Sequence, residues 1–265
     1  MRVVGALQEV SDNVLVATSD VDATNSTVIV GEGNICLVVD PAVKPPELAA
    51  LAAAIKSRGL RPVAGWSTHA HWDHLLWSSA FGNVPRYATK KAGEIALAKR
   101  GKLAVEANKE CPGHDLAQLG AVKPLAFEAP TLPWDGPETT VIEHDGHAPG
   151  HGALYIKDLG VLVAGDMFSD VEVPTLDLDA AEAVAQYRTG IHKMLGLEGL
   201  SHVVPGHGKP CGAAQMLSRV LRDWMYLDDV TAGRQSKDKR LSGAPNWLME
   251  HHRSQAAKFK VVPKA

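Results

Sequence analysis

The strongest signal in the chain is the stretch Val63-Ala64-Gly65-Trp66-Ser67-Thr68-His69-Ala70-His71-Trp72-Asp73-His74. Its apolar beginning predicts a short strand, and polar side chains crowd the residues directly after that strand. Three histidines and one aspartate, all metal-ligand types, fall within six residues. Several polar rings in one small volume are unfavourable unless they are satisfied, and a metal ion satisfies them together. The stretch therefore predicts a strand that ends in a metal site.

Three more ligand-type side chains each follow an apolar run further along the chain. His151 lies in Ala148-Pro149-Gly150-His151-Gly152, Asp166 follows the run Val161–Ala164, and His207 lies in Val203-Val204-Pro205-Gly206-His207-Gly208. Small residues beside each of them allow backbone and ligand to approach closely. We therefore expect these three side chains to join the first four.

The order strand, helix, strand occurs twice along the chain. In the first half the predicted elements are strands at 14–18, 26–30, 35–39 and 63–66 and a helix that starts at Pro45 and ends before Gly59. In the second half they are strands at 161–164 and 202–204 and a helix at about 180–195. Polar residues follow the strand ends in both halves. This pseudo-two-fold repeat predicts an α/β (α+β) chain with two sheets packed face to face and helices outside.

Composition and charge exclude several classes of protein. The chain has 265 residues, of which 45% are hydrophobic and 22% charged, so it is an ordinary globular chain rather than a disordered or fibrous one. No apolar run is long enough to span a bilayer, and no signal peptide is visible. Three widely spaced cysteines make a disulfide framework improbable and favour the reducing cytoplasm. The formal net charge of −3 argues against a nucleic-acid partner.

The charge divides the chain into two parts. Residues 231–265 carry a net charge of +6, which leaves −9 for the remainder. We expect a main domain over 1–230, with a loop-and-helix insertion at about 101–137, and a basic C-terminal extension over 231–265. Trp247, Leu248 and Met249 give the extension an apolar anchor. It is expected to dock on the body or on a neighbouring subunit, so a homo-oligomer is one expected state.

The ordered set of ligands resembles the metallo-β-lactamase-fold superfamily over about residues 10–225. The motif His-x-His-x-Asp-His is followed by a His, an Asp and a His, in the order of that superfamily. The resemblance implies a four-layer αββα sandwich with a metal site at one edge, to which both halves of the chain contribute ligands. It also implies a ligand set in which one metal is held by His69, His71 and His151, the other by Asp73, His74 and His207, and Asp166 bridges the two.

The resemblance further implies a hydrolase that acts on a small molecule. Two Zn²⁺ ions, with Fe or Mn as alternatives, suit imidazole and carboxylate ligands and activate a water at neutral pH. Asp73 and Asp166 are the candidate catalytic carboxylates. The resemblance implies that Asp is usual at position 166 in glyoxalase II-like thioesterases, lactonases and phosphodiesterases, whereas antibiotic-hydrolysing members more often carry a Cys or a non-ligand there. An ester, thioester or lactone carbonyl is therefore the expected substrate.

Three other functions stay open at this stage. One is an iron-dependent persulfide dioxygenase-like enzyme, in which His69, His151 and Asp166 would hold a single iron. The others are β-lactam hydrolysis and a non-catalytic binding member of the fold.

Several residues near the ligands have roles that the sequence leaves less specific. Asp40 follows the strand at 35–39 and could orient a ligand histidine. His144 and His147 could line the pocket, but the sequence favours strand-end and loop positions exposed at the rim of the site. The large apolar side chains that neighbour the ligands could either line a substrate wall or pack the sheet edges; they are Trp72, Trp77 and Phe168.

Overall fold

The computed structural model describes residues 6–126 and 130–260 and contains two sheets. The first sheet holds, in spatial order, β1 (Gln8–Ser11), β2 (Val14–Thr18), β3 (Asn25–Val30), β4 (Ile35–Val39), β5 (Arg61–Trp66), β6 (Arg86–Ala88) and β7 (Lys123–Pro124). The second sheet has the order β12-β11-β10-β9-β8 and consists of β8 (Thr140–His144), β9 (His151–Ile156), β10 (Val161–Gly165), β11 (His202–Pro205) and β12 (Cys211–Gly212). The strands β1 to β4 pair antiparallel, whereas β4 to β7 run parallel.

The helices form two layers outside the sheets. They are α1 (Pro45–Ser57), α2 (Lys90–Ala98), α3 (Arg100–Glu110), α4 (Ala183–Leu195), α5 (Ala213–Thr231) and α6 (Asn246–Lys258). Buried residues of α1, α2 and α3 form one core cluster with the first sheet. Buried residues of α4, α5 and α6 form a second cluster with the second sheet.

A third core cluster fills the space between the two sheets. Successive side chains of a strand point to opposite faces, so Val38 packs with the helices while Leu37 and Val39 pack between the sheets. From the second sheet, Leu154 and Val163 reach the same cluster. The layers are therefore helix, sheet, sheet and helix, and the predicted αββα sandwich is confirmed.

Each sheet contains a parallel strand–helix–strand unit that leads to the metal-site edge. In the first sheet β4 leads through α1 into the parallel strand β5, and in the second sheet β10 leads through α4 into the parallel strand β11. The carboxyl ends of paired parallel strands lie at the same edge of a sheet. The loops that follow β5, β10 and β11 therefore gather where the two sheets meet, which is the predicted pseudo-two-fold arrangement.

Hydrogen bonds between the sheets fix this shared edge. The indole nitrogen of Trp66 donates to the carbonyl of Gly152 at 3.0 Å. The side-chain amide of Asn25 donates to the carbonyls of Pro205 at 2.8 Å and Gly208 at 2.7 Å, on either side of His207. These hydrogen bonds hold loops from both halves together at the shared edge.

Two regions lie outside this core pattern. Much of the stretch 101–137 is α3 and irregular chain, and its only strand among the described residues is β7. Near the C-terminus α6 packs against α5, and Leu248 of α6 is fully buried. The division at residue 230 stays a prediction. Across 6–126 and 130–260, none of the helices is long and apolar enough to cross a membrane.

Candidate metal centre

The first ligand stretch lies in the loop after β5. His69 is buried, His71 is exposed, and the one-turn 3-10 helix Trp72–His74 places Asp73 and His74 on the inner side of the loop. Side chains from the second sheet face this loop: Asp166 directly follows β10, and His207 follows β11. Both halves of the chain therefore contribute, as the repeat predicts.

Group one consists of His69, His71, His147 and Asp166, whose donor atoms converge. His71 Nδ1 lies 2.9 Å from His69 Nε2 and 3.0 Å from His147 Nε2. The Oδ2 atom of Asp166 lies 3.3 Å from His147 Nε2 and 3.6 Å from His69 Nε2. Three imidazole nitrogens and one carboxylate oxygen thus surround one point.

Group two consists of Asp73, His74 and His207. His74 Nε2 lies 3.2 Å from His207 Nε2 and 3.3 Å from Asp73 Oδ2. The Asp166 carboxylate also reaches this group, with Oδ1 at 3.2 Å from His74 Nε2 and Oδ2 at 3.3 Å from His207 Nε2. Asp166 therefore lies between the two groups and contacts both.

Four of the five histidines in the two groups have an outer nitrogen that faces an oxygen. The outer contacts are His69 Nδ1 with Thr68 Oγ1 at 3.0 Å, His74 Nδ1 with Asp40 Oδ2 at 3.0 Å, His147 Nδ1 with Thr175 O at 2.9 Å and His207 Nδ1 with Asp22 O at 3.0 Å. Carbonyl and carboxylate oxygens only accept hydrogen bonds. These contacts place the ring proton on the outer nitrogen and direct the inner lone pair at the shared centre.

This arrangement fits a pair of divalent cations. With the ring protons on the outer nitrogens, the inner nitrogens and the carboxylates are all acceptors, and Asp166 Oδ1 is buried with no hydrogen-bond partner. Acceptors crowded in this way repel one another unless a positive charge lies between them. Imidazole and carboxylate donors suit zinc, iron and manganese. The residues present therefore fit two metal ions that share Asp166.

Without a cation, protons balance the carboxylates. Burial acts to raise the pKa of Asp166, but the adjacent His207, His74 and His69 hold it well below its usual range. Burial likewise acts to raise the pKa of Asp73, but His74 and His207 lower it to about 2. Conversely, Asp166 and Glu172 overcome burial and raise the pKa of His207 to about 10. A metal ion that binds here must displace these protons.

The structure brings His147, and not His151, into group one. His151 is the first residue of β9 and pairs with His144 of β8, so strand pairing fixes its ring inside the second sheet. The ring stacks between His69 and His144, at centroid distances of 5.1 Å and 4.5 Å. Its Nε2 accepts the backbone N–H of Asp166 at 3.2 Å. The ligand set that includes His151 stays a prediction, but the donor atoms that converge include His147 in its place.

The sequence favours an exposed rim position for His147 over a place in the pocket. Both His147 and His144 are only 5% exposed, so that expectation is wrong. The sequence does contain a signal that favours His147. The apolar run after Gly152 places His151 inside a strand, whereas every other side chain of the two groups lies in a loop after a strand. His147 is the histidine in the loop between β8 and β9.

A family model of the metallo-beta-lactamase superfamily matches residues 19–207. The chain belongs to the metallo-beta-lactamase superfamily. All seven residues that form the two groups lie within the matched range. The match ends before α5 and α6, so the C-terminal helices are additions to the part that the family model describes.

Similar proteins agree with this assignment. The chain is 26% identical over 187 residues to the "Probable metallo-hydrolase YqgX" of Bacillus subtilis (strain 168), covering 65% of this chain and 80% of that protein. Among solved structures, a beta-lactamase domain protein from Burkholderia ambifaria has a TM-score of 0.67 at 19% identity, covering 97% of this chain and 87% of its own. TTHA1623, solved in a di-iron-bound form, has a TM-score of 0.61 at 23% identity, covering 76% of this chain and 96% of its own.

Asp40 contacts the outer side of His74 and the backbone of the loop after β5. Its Oδ1 accepts the backbone N–H of Thr68 at 2.9 Å, and its Oδ2 accepts the hydroxyl of Thr68 at 2.7 Å and faces His74 Nδ1 at 3.0 Å. Its backbone is left-handed, with φ of 47°, a conformation that Asp and Asn tolerate better than most residues. The role of orienting a ligand histidine, which the sequence allows, is thus seen at His74.

Glu172 is a buried acid that sequence analysis does not single out. It follows Asp166 in the same loop, and its Oε1 lies 3.5 Å from His207 Nδ1. Burial raises its pKa to about 8, and Oε1 has no hydrogen-bond partner. Nothing in its sequence context distinguishes it from an ordinary loop acid; only the fold brings it to His207.

The site of this superfamily member opens to solvent on the side of His71. His71 is exposed, and Trp72 and Asp73 are half-buried, so they border the opening. Trp77 is 5% exposed and Phe168 is fully buried, which assigns both to core packing rather than to a substrate wall.

Proposed function

We propose that the chain is a dinuclear zinc-dependent hydrolase of the metallo-beta-lactamase superfamily that acts on an ester, thioester or lactone. The observation that carries the proposal is the position of Asp166 between two convergent ligand groups. His69, His71 and His147 would hold one ion with Asp166. Asp73, His74 and His207 would hold the other, again with Asp166.

Two zinc ions, when bound, supply an activated water nucleophile and polarise the scissile carbonyl. The chain's own residues prepare this chemistry. Low pKa values keep Asp73 and Asp166 ionised across the neutral range, so they act as ligands and hydrogen-bond acceptors rather than as acids. Asp73 is half-buried at the opening and can accept a hydrogen bond from the attacking water. Deep burial of His69 and His147 excludes bulk water from the opposite side.

The substrate class rests on similarity and on one ligand. The relative from Bacillus subtilis is named a probable metallo-hydrolase, which supports hydrolysis as the reaction class. An aspartate at position 166 supports a carbonyl ester, thioester or lactone over a β-lactam. A small molecule that enters beside His71 is the proposed substrate. Cytoplasmic location and a homo-oligomeric state stay predictions.

Iron is the second candidate metal because TTHA1623 was solved with two irons. A persulfide dioxygenase-like enzyme would use a single iron in one ligand group. The completeness of group two, with three donors of its own, supports two ions and therefore the hydrolase.

Metal analysis of the purified chain, followed by an ester, thioester and lactone panel, tests the proposal. About two zinc ions per chain and hydrolysis that a chelator abolishes are expected. His207→Ala should lose both an ion and the activity, whereas His192→Ala, an exposed histidine on α4, serves as the matched control. One iron per chain with oxygen uptake on a persulfide would overturn the proposal, and so would hydrolysis that persists without metal.

A further inference from the structure

The C-terminal helix α6 contacts the loop that follows Asp166, although α6 lies beyond the range that the family model matches. Gln255 is fully buried on the inner face of α6. Its Nε2 donates to the carbonyl of Pro174 at 2.8 Å and also to the hydroxyl of Tyr226, and its Oε1 accepts the N–H of Leu176 at 3.1 Å. One side chain therefore holds the backbone on both sides of Thr175.

Thr175 in turn holds a ligand of group one. Its carbonyl oxygen lies 2.9 Å from His147 Nδ1, and its Oγ1 lies 2.8 Å from the same nitrogen. Both oxygens of one residue thus face the outer nitrogen of His147. This fixes the ring's orientation and keeps the lone pair of Nε2 directed at His71 and Asp166.

We infer that Gln255 is a positioning residue for group one and acts on His147 through Thr175. A buried polar side chain is unfavourable unless its hydrogen bonds are satisfied. If α6 only packed against the core, an apolar residue could fill the same space. Gln255 instead uses both ends of its amide on the two residues that flank Thr175. The inference rests on the proposed dinuclear site.

The two ion sites should respond differently to a change at Gln255. Group two is held from other directions: Asp40 orients His74, and the carbonyl of Asp22 orients His207. Loss of an outer partner of a metal-bound histidine lowers metal affinity by about 10-fold to 100-fold. Because Gln255 acts one residue further away, we expect about 10-fold at group one and no change at group two.

Cobalt(II) titration of the full chain, followed by visible absorption and by chelator competition, tests this inference. Gln255→Met keeps the volume and removes all three hydrogen bonds of the Gln255 amide, and Thr175→Val removes only the hydroxyl. Each variant should bind one of the two cobalt ions with about 10-fold lower affinity, and the absorption bands of that ion should change. The double variant should lose less than the sum of the two, because both changes act on the same ring.

Leu248→Ala is the control, since Leu248 is buried on the same helix. It should lower the melting temperature and leave both cobalt affinities unchanged. If Gln255→Met does not fold, Gln255→Glu, which keeps the acceptor for Leu176, replaces it and should show a smaller loss at the same ion. Wild-type affinity at both ions in the Gln255 variant, or an equal loss in Leu248→Ala, overturns the inference. A wild-type chain that binds fewer than two cobalt ions instead overturns the proposed dinuclear site.

Discussion

Replacement of Asp40 by Asn tests whether the buried carboxylate fixes the ring proton of His74. Asn tolerates the left-handed backbone at position 40, so the change is confined to the side chain. The Oδ1 contact to the N–H of Thr68 can persist. At the other position an NH₂ group replaces the oxygen that faces His74 Nδ1 and accepts the hydroxyl of Thr68. The new NH₂ group then faces two donors, the outer N–H of His74 and the hydroxyl of Thr68.

His74 relieves this conflict by moving its proton to Nε2. That nitrogen lies 3.2 Å from His207 Nε2 and from Asp166 Oδ1, and once protonated it cannot bind a metal ion. Loss of the correct outer partner lowers metal affinity by about 10-fold to 100-fold, or about 1.4 to 2.7 kcal/mol. We expect this loss at one ion, with the ion of group one retained.

Competition between the protein and a zinc-selective chelator dye measures both affinities at pH 7. Asp158→Asn, in the exposed turn between β9 and β10, is the matched control because it removes the same charge away from the site. Two zinc ions bound with wild-type affinity in Asp40→Asn would refute the reasoning. An equal loss at both ions would also contradict it, because it would indicate a general loss of structure.

Three further predictions follow from the site and the fold. His147→Ala should bind one zinc ion fewer than wild type by elemental analysis, whereas His151→Gln should keep two, since His151 Nε2 already accepts the N–H of Asp166. Chelation should lower the melting temperature by about 10 to 20 °C in calorimetry, because two ions, each at 100 times its Kd, together contribute about 5.4 kcal/mol. Burial acts to raise the pKa of Glu47, but hydrogen bonds from Lys44, Ser19, Asp20 and Val43 lower it below its ordinary value. Glu47→Gln should therefore lower the free energy of unfolding at pH values above the ordinary pKa. In urea unfolding, this difference from wild type should vanish as the pH falls through the pKa of the folded state.

Each of these predictions has a result that contradicts it. Equal zinc content in His147→Ala and His151→Gln would remove the distinction between ligand and support. A melting temperature that a chelator leaves unchanged would mean that no ion stabilises the fold. A difference between wild type and Glu47→Gln that grows on acidification would reverse the sign expected for a lowered pKa.

The sequence predicts the framework well because the framework depends on local patterns. Continuous apolar runs such as 35–39 and 161–164 are buried strands in the structure, and each leads through a helix into a parallel strand. The stretch from His69 to His74 is a dense local motif whose spacing is visible without any fold. The two-layer sheet follows from the repetition of these units.

Other parts of the site depend on pairing and distant contacts. Strand register decides between His147 and His151, because the pairing of His151 with His144 turns one ring into the sheet and leaves the other in the loop. Glu172, Thr175 and Gln255 act through contacts between distant segments. The shortest strands, such as β7 with its two residues, carry too few side chains for a recognisable pattern.

The position of Gln255 near the end of the described chain bears on how the protein is made. Synthesis proceeds from the N-terminus, and early segments fold before later ones exist. The stretch His69–His74 emerges first, His147, Asp166 and His207 follow, and Gln255 comes last. A chain that has not yet emerged past His207 therefore lacks part of both ligand groups. On the proposed roles, group two is complete once His207 has emerged, whereas the ion of group one reaches its full affinity only when α6 has left the ribosome and docked, so the last step of metal loading follows translation.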